Sequence, residues 1–131
     1  MTDRDMAQKY WEKANLSVRT ARKCLPEDPP SAASRAYYAA FYAVSALFLL
    51  EGRRFSKHTA VAMAVHRDLV LTGAWAPKLA ARFDELARMR HVSDYLPTES
   101  VNPSDATNAI EWAVEVLGAV AKLRPTVFFL E

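Results

Sequence analysis

Four side chains suited to phosphate binding and proton transfer are spaced at helical intervals in the second half of the chain. Arg90 precedes Asp94 by four residues, and His91 precedes Tyr95 by the same spacing. Residues four apart share one helix face, so these groups would converge on one patch, which Arg88 can join. Arginine grips phosphate with paired hydrogen bonds, and histidine can act as acid or base near neutral pH. The spacing therefore predicts a phosphate-handling site, although a solvated helix end with an ordinary Arg90–Asp94 ion pair would carry the same residues.

A second group, Ser56-Lys57-His58, has the sequence of a helix start. The unpaired N–H groups of a helix start attract anions, and Lys57 and His58 add positive charge there. Cations at this end of a helix are unfavourable unless an anion is bound, so the group predicts phosphate binding. The alternative is a serine cap with two exposed neighbours.

The third group lies on the second predicted helix, where Arg35, Tyr38 and Tyr42 share one side at spacings of three and four. Tyr37 and Phe41 fall on the adjoining core stripe. Aromatic rings beside an arginine can stack nucleic-acid bases. Arg35 and Tyr38 are therefore predicted, with Lys57 and His58, to bind a nucleotide or its phosphate. A core or subunit contact, with tyrosine hydroxyls at its polar rim, would use the same residues.

Other site chemistries find no support in the sequence. The histidines at 58, 66 and 91 lack metal-ligand spacing, and the single Cys24 allows neither an internal disulfide nor a multi-cysteine zinc site. There is no glycine-rich phosphate loop. We therefore expect no metal and no cofactor. The net charge is only +2, from 17 basic against 15 acidic residues, so any polyanion site must be local.

These groups must be positioned by helices, because apolar residues recur with helical rather than strand periodicity. Gly52 and Gly73 stand where helical patterns stop, and Ser31 and Ser56 stand where they begin. The predicted helices are Asp3–Cys24, Ala32–Glu51, Lys57 to about Leu71, Pro77 to near Tyr95, and Asn102 to shortly before Pro125. The predicted fold is all-α: an up-and-down four-helix bundle with a short additional helix, the third, inserted.

A chain of 131 residues with 51% hydrophobic residues is the size of one domain, so residues 1–131 are expected to form one unit. Its core is expected over about residues 7–123. Residues 124–131 form an apolar tail, in which Val127–Leu130 is expected to pack on a neighbour such as another subunit. The apolar stretch Ala36–Leu50 is too short for a membrane span, and the charged N-terminus does not open as a signal peptide. We expect a cytoplasmic protein with no membrane contact.

Four strings together resemble the HEPN domain family, in its uncharacterised prokaryotic branch, over roughly Ala7 to Leu123. In chain order they are the run from Ala32 to Ala43, the run from Ser56 to Val61, the run Leu71-Thr72-Gly73, and Arg90 four residues before Asp94-Tyr95. The resemblance implies a helical bundle that forms a homodimer. It also implies a gene beside a small nucleotidyltransferase, the two acting as a toxin–antitoxin pair.

Active members of the family that the chain resembles are metal-independent ribonucleases. Their signature is an arginine, four to six residues and a histidine, and they activate a ribose 2′-OH to give a cyclic phosphate. The chain departs from this signature. The residues at the corresponding spacings after Arg90 are Tyr95, Leu96 and Pro97, and those after Arg88 are Ser93, Asp94 and Tyr95.

The favoured expectation is a homodimer that binds RNA or a nucleotide, without catalysis, as the HEPN half of a nucleotidyltransferase-linked system. The alternative is an endoribonuclease in which Arg90 binds phosphate and Asp94, Tyr95 or His91 replaces the usual base. A third possibility is a purely structural assembly module.

Overall fold

The fold is described over residues 1–130 in a computed structural model, and five α-helices make up most of that part of the chain. They are α1 (Asp3–Cys24), α2 (Pro29–Leu50), α3 (His58–Ala64), α4 (Pro77–Tyr95) and α5 (Pro103–Leu123). A π-helical segment, Val65–Val70, continues α3. The described residues contain no strand, so the all-α prediction is confirmed.

Two helices begin with reciprocal caps. At the start of α1 the Thr2 hydroxyl accepts from the Asp5 N–H at 3.0 Å, and the Asp5 carboxylate accepts from the Thr2 N–H at 3.1 Å. Asn102 and Asp105 make the same exchange at the start of α5. Each exchange satisfies two N–H groups that a helix start leaves without partners. The predicted starts of α1 and α5 are confirmed.

The other two predicted caps are wrong. The helix α2 begins at Pro29 because the Asp28 carboxylate accepts from the Ser31 N–H at 3.2 Å, and proline suits the first helical position. Ser31 therefore lies inside the helix. The residue before α3 is Lys57, which makes no side-chain cap bond, and Ser56 precedes it.

The predicted third helix is present but divided. Its first seven residues, His58–Ala64, are α-helical, and the next six widen into the π-helical segment. Because α3 is so short, its dipole contributes little, and any anion affinity there depends on side chains. Gly52 and Gly73 have φ values of 75° and 83°, as predicted for residues that end helices.

The central helix of the bundle is α2, which packs against α1, α4 and α5. Seven alanines on it are fully buried and allow the neighbouring helices to approach closely. They are Ala32, Ala33, Ala36, Ala39, Ala40, Ala43 and Ala46. Among the described helices α2 alone is long and apolar enough to span a membrane, but 67% of its most apolar window is buried inside the bundle. It has the surroundings of a core helix.

Two residues of the apolar tail, Val127 and Phe128, pack on their own chain, whereas Phe129 and Leu130 are exposed, so a subunit contact there stays a prediction. Phe128 is 1% exposed, and its ring lies 4.9 Å from the ring of Trp11. The Trp11 indole N–H donates to the Phe129 carbonyl at 2.9 Å, and the Gln8 amide donates to the Val127 carbonyl. The tail therefore completes the core against α1. Glu131, the last residue of the predicted tail, lies outside the described residues.

The connection between α2 and α3 is anchored by Arg53. Its guanidinium donates to the Asp68 carboxylate at 2.6 Å and lies over the rings of Phe48 and Phe55, at 4.8 and 5.3 Å. Hydrogen bonds from Arg67 and Arg53 lower the pKa of Asp68 to about 2. This cluster ties the loop before α3 to the π-helical segment after it.

Candidate functional site

Arg90 lies in the middle of a cluster of tyrosines near the end of α4. Its guanidinium is 5.3 Å from the Tyr37 ring centre, 5.9 Å from that of Tyr38 and 5.5 Å from that of Tyr95. Only 16% of the side chain is exposed, and its Nε has no hydrogen-bond partner among the described residues. The rings hold the cation by cation–π attraction and leave donors free.

Arg90 stays positively charged at any physiological pH. Burial alone would lower the pKa of Arg90, but a hydrogen-bonding contact with Tyr95 and charge interactions with Tyr38 and Tyr37 outweigh it. The pKa of Arg90 is therefore raised above its usual value. A permanent, partly buried cation attracts an anion at its exposed donors, where a ligand would share it with the Asp94 carboxylate 3.9 Å from Nη1.

His58 is brought to this cluster from the start of α3. Its ring stacks on Phe41 at 4.4 Å, and its Nδ1 lies 2.5 Å from the hydroxyl of Tyr37. Burial and the nearby charge of Arg90 lower the pKa of His58 below the usual value of 6.5. The imidazole is therefore neutral at pH 7.

The Tyr37 hydroxyl determines which nitrogen of His58 carries the proton. Burial raises the pKa of Tyr37 to about 12, so the phenol keeps its proton at neutral pH. Tyr37 is 1% exposed, and Arg90 cannot accept a hydrogen bond, so the proton points to His58 Nδ1. The other nitrogen, Nε2, then carries the imidazole proton and is a hydrogen-bond donor.

The predicted helical pairings at the end of α4 are present. Arg90 Nη1 lies 3.9 Å from an Asp94 carboxylate oxygen, and the rings of His91 and Tyr95 lie 5.2 Å apart. The same Asp94 oxygen accepts from the Ser34 hydroxyl at 3.3 Å, which ties the end of α4 to α2. Tyr95 is 61% exposed and His91 is exposed. Both form the rim of the site.

Arg88 does not join the patch, contrary to expectation. Its guanidinium donates twice to Glu85, one helical turn earlier, at 3.0 and 2.5 Å. The spacing of three to His91 permitted a contact, but the side chain satisfies its charge on the exposed side of α4 instead.

The predicted face of α2 adjoins this cluster. The Arg35 guanidinium lies 4.7 Å from the Tyr38 ring centre, and the Tyr38 and Tyr42 rings are 6.0 Å apart. Lys13 of α1 lies over the far side of this row, 5.4 Å from the Tyr42 ring. The result is a half-exposed aromatic surface bordered by cations and continuous with Arg90. Lys57 is exposed at the edge, next to His58.

The site therefore joins residues that the sequence offered as three separate groups. Sequence reasoning missed the parts played by Tyr37 and Phe41, which it assigned to the core, and by Ser34. Their signal was their presence in the string on α2 that carries the family resemblance. The site has the donors and rings to bind a phosphate and an adjacent base. Across residues 1–130 no group of three or more His, Cys, Asp or Glu side chains is placed to hold a metal ion.

The lowered pKa of His58 predicts a pH-dependent stability. The unfolded chain binds a proton on this residue near pH 6.5 and the folded chain only below that, so the free energy of unfolding should fall as the pH is lowered from 7 to 5. His58→Asn keeps an acceptor at the Nδ1 position but cannot be protonated. Urea unfolding at the two pH values should therefore show a smaller loss for His58→Asn than for the natural protein.

The control is His91→Asn, which removes an exposed histidine from the rim and should retain the full loss. An equal loss of stability in His58→Asn and in the natural protein would show that His58 is not the group responsible.

Comparison with known proteins gives a family for this arrangement. The HEPN domain model matches residues 7–123. The chain is also 33% identical over 131 aligned residues to a UPF0332 protein of Thermotoga maritima, covering 94% of this chain and 95% of the relative. The family match includes every residue of the site from Tyr37 to Tyr95. The chain belongs to the HEPN domain family.

Proposed function

We propose that the protein binds RNA or a nucleotide by placing a phosphate against Arg90 and His58. The observation that carries the proposal is the guanidinium of Arg90, which three tyrosine rings hold in place while 16% of the side chain stays exposed. Within residues 1–130 its one carboxylate neighbour, Asp94, lies 3.9 Å from Nη1, so the exposed part of the guanidinium can donate to a phosphate oxygen.

The tautomer of His58 favours binding over cleavage. With Nδ1 occupied by the Tyr37 hydroxyl, the available Nε2 is a donor. A donor stabilises a phosphate oxygen, whereas a general base must accept a proton. Arg90 and His58 then act together as a phosphate clamp, and the aromatic surface formed by Arg35, Tyr38 and Tyr42 can stack bases.

Lys57 provides a test of the proposed phosphate position, because its side chain is exposed beside His58. Fluorescence anisotropy with a labelled single-stranded RNA should show binding that weakens as salt is raised. Lys57→Ala should weaken binding by about fivefold or less, the range for an exposed ion pair, and should reduce the salt dependence. Lys78→Ala, at the opposite end of α4, is the control. Salt-independent binding, or equal losses in the two variants, would contradict the proposal.

A second candidate, a metal-independent endoribonuclease, is favoured by one observation. A neutral histidine, His58, lies beside Arg90, although none follows Arg90 at the family spacing. In this reaction a base takes the proton of the 2′-OH, and the oxygen forms a bond to the adjacent phosphorus. The bond from phosphorus to the 5′-oxygen then breaks, and that oxygen leaves with a proton from an acid. His58 would serve as base only if its tautomer reversed, and as acid in the tautomer described above.

Incubating the protein with RNA and EDTA separates the two candidates. A nuclease would release fragments ending in 2′,3′-cyclic phosphate, and His58→Ala would abolish them. Intact RNA at high protein concentration, together with measurable RNA binding, would reject the nuclease and retain the binding function.

The wider setting is part of the same proposal. A homodimer, a nucleotidyltransferase partner and a toxin–antitoxin role are what the family resemblance implies, and the exposed apolar side chains of Met63 and Leu71 offer surface for such contacts. A single cysteine, Cys24, suits a reducing cytoplasm. Light scattering after size exclusion would test the dimer. A dimer that binds no RNA or nucleotide would instead indicate a structural assembly module.

A further inference from the structure

A groove runs beside the site, between α1, α2 and the loop that anchors α3. Rings of Tyr10, Phe41 and Phe55 line it, with Leu49 and the hydroxyl-bearing Ser45. It is open to solvent and has a volume of about 120 Å³. An enclosed cavity of roughly 150 Å³ holds a benzene molecule, so this groove can take most of one flat ring, with the rest of that ring in solvent.

The groove and the phosphate clamp share a wall. The Phe41 ring that lines the groove is the ring on which His58 stacks, at 4.4 Å. Tyr10, which also lines the groove, lies 6.0 Å from Tyr42 of the aromatic surface. A ligand with a phosphate at His58 therefore has the groove one aromatic ring away.

The polar edge of the groove consists of hydrogen-bond donors. Arg53 and Arg54 are held by the carboxylates of Asp68 at 2.6 Å and of Asp3 at 2.8 Å. Each guanidinium has five N–H donors, so each keeps donors that these contacts do not use. Such an edge suits a ring that carries carbonyl oxygens.

We propose that this groove is a base-binding subsite, which receives the nucleobase next to the phosphate bound by Arg90 and His58. The inference rests on the proposed function, because it takes the clamp as the place of the phosphate. Rings on the walls stack the base, and the arginines select its edge. Uracil, a single ring with two carbonyl oxygens, is favoured at this position over adenine, which has two fused rings and no carbonyl oxygen.

The test compares two labelled oligomers of equal length, an oligouridylate and an abasic oligomer with the same phosphates. The natural protein should bind the oligouridylate about tenfold more tightly, the scale of stacking one base on an aromatic side chain. Ser45→Phe places a ring in the groove and should reduce that difference to the part supplied by stacking on Tyr38 and Tyr42, while leaving the affinity for the abasic oligomer unchanged. Ser45→Ala, which leaves the groove open, is the matched control.

Arg54→Ala provides a second test that does not depend on packing a larger side chain. It should reduce the preference for oligouridylate over oligoadenylate, and any loss that the abasic oligomer shares measures the effect of the removed charge. Equal binding of the oligouridylate and the abasic oligomer by the natural protein would overturn the subsite and leave the phosphate clamp intact. If neither oligomer binds, the proposed function itself fails.

Discussion

Replacing Arg90 by alanine is expected to weaken RNA binding at least thirtyfold, the largest loss of any single change in the site. Truncating one member of a desolvated, hydrogen-bonded charge pair typically costs about 2–5 kcal/mol, and each 1.4 kcal/mol is tenfold in affinity. Arg90 qualifies because three tyrosine rings surround it and only 16% of its side chain is exposed. Anisotropy titration of the variant against the same labelled RNA measures the effect.

Two further variants separate charge from packing. Arg88→Ala removes an exposed arginine from the same helix, already paired with Glu85, and should leave RNA affinity nearly unchanged. Arg90→Lys keeps the charge but loses the planar guanidinium, so it should recover only part of the affinity. Circular dichroism melting of each variant establishes that the fold is retained. Comparable RNA affinity in Arg88→Ala and Arg90→Ala would eliminate Arg90 as the phosphate ligand.

The largest stability effect is expected at the end of the chain. Phe128→Ala should lower the free energy of unfolding by about 3–5 kcal/mol, the usual cost of removing a buried phenylalanine ring. The ring is 1% exposed and packs on Trp11, whose indole N–H is bonded to the next carbonyl along the tail. Urea unfolding would measure the difference in the free energy of unfolding, with the same dependence of free energy on urea concentration used for both proteins.

The adjacent residue is the matched control. Phe129 is 68% exposed, so Phe129→Ala should change stability by about 0.5 kcal/mol or less. If Phe128→Ala were as stable as the natural protein but lost its ability to self-associate, the tail would belong to a contact between subunits instead.

The helices were predictable because their ends are encoded locally. The cap at Asn102 and the left-handed conformation at Gly73 depend on residues within a few positions of each other. The start of α2 was misplaced because Ser31 was chosen as the cap and Asp28, three residues earlier, was not considered. With Asp28 capping Ser31, the two prolines fit the first turn. The packing of the tail could not be predicted from the neighbouring sequence, because Phe128 is buried against Trp11, more than one hundred positions away.

The site was predictable only where its contacts join residues that are close together in the sequence. The Arg90–Asp94 spacing is local and was recognised. The contact of His58 with Tyr37 joins two helices, and no pattern within either helix reveals it. A search for a histidine at a fixed spacing after Arg90 therefore missed His58, which the fold places near Arg90. The proximity of His58 to Arg90 is a property of tertiary structure.

The buried alanines of α2 also affect how relatives of this protein can be classified. A larger side chain at any of these positions would have to separate packed helices, so the string from Ala32 to Ala43 is constrained by sterics whatever the protein does. Homology detected through that string therefore indicates a shared fold and says little about whether a relative is catalytically active. Assigning activity within the group therefore requires comparing the side chains that line the clamp, above all those equivalent to His58 and Arg90.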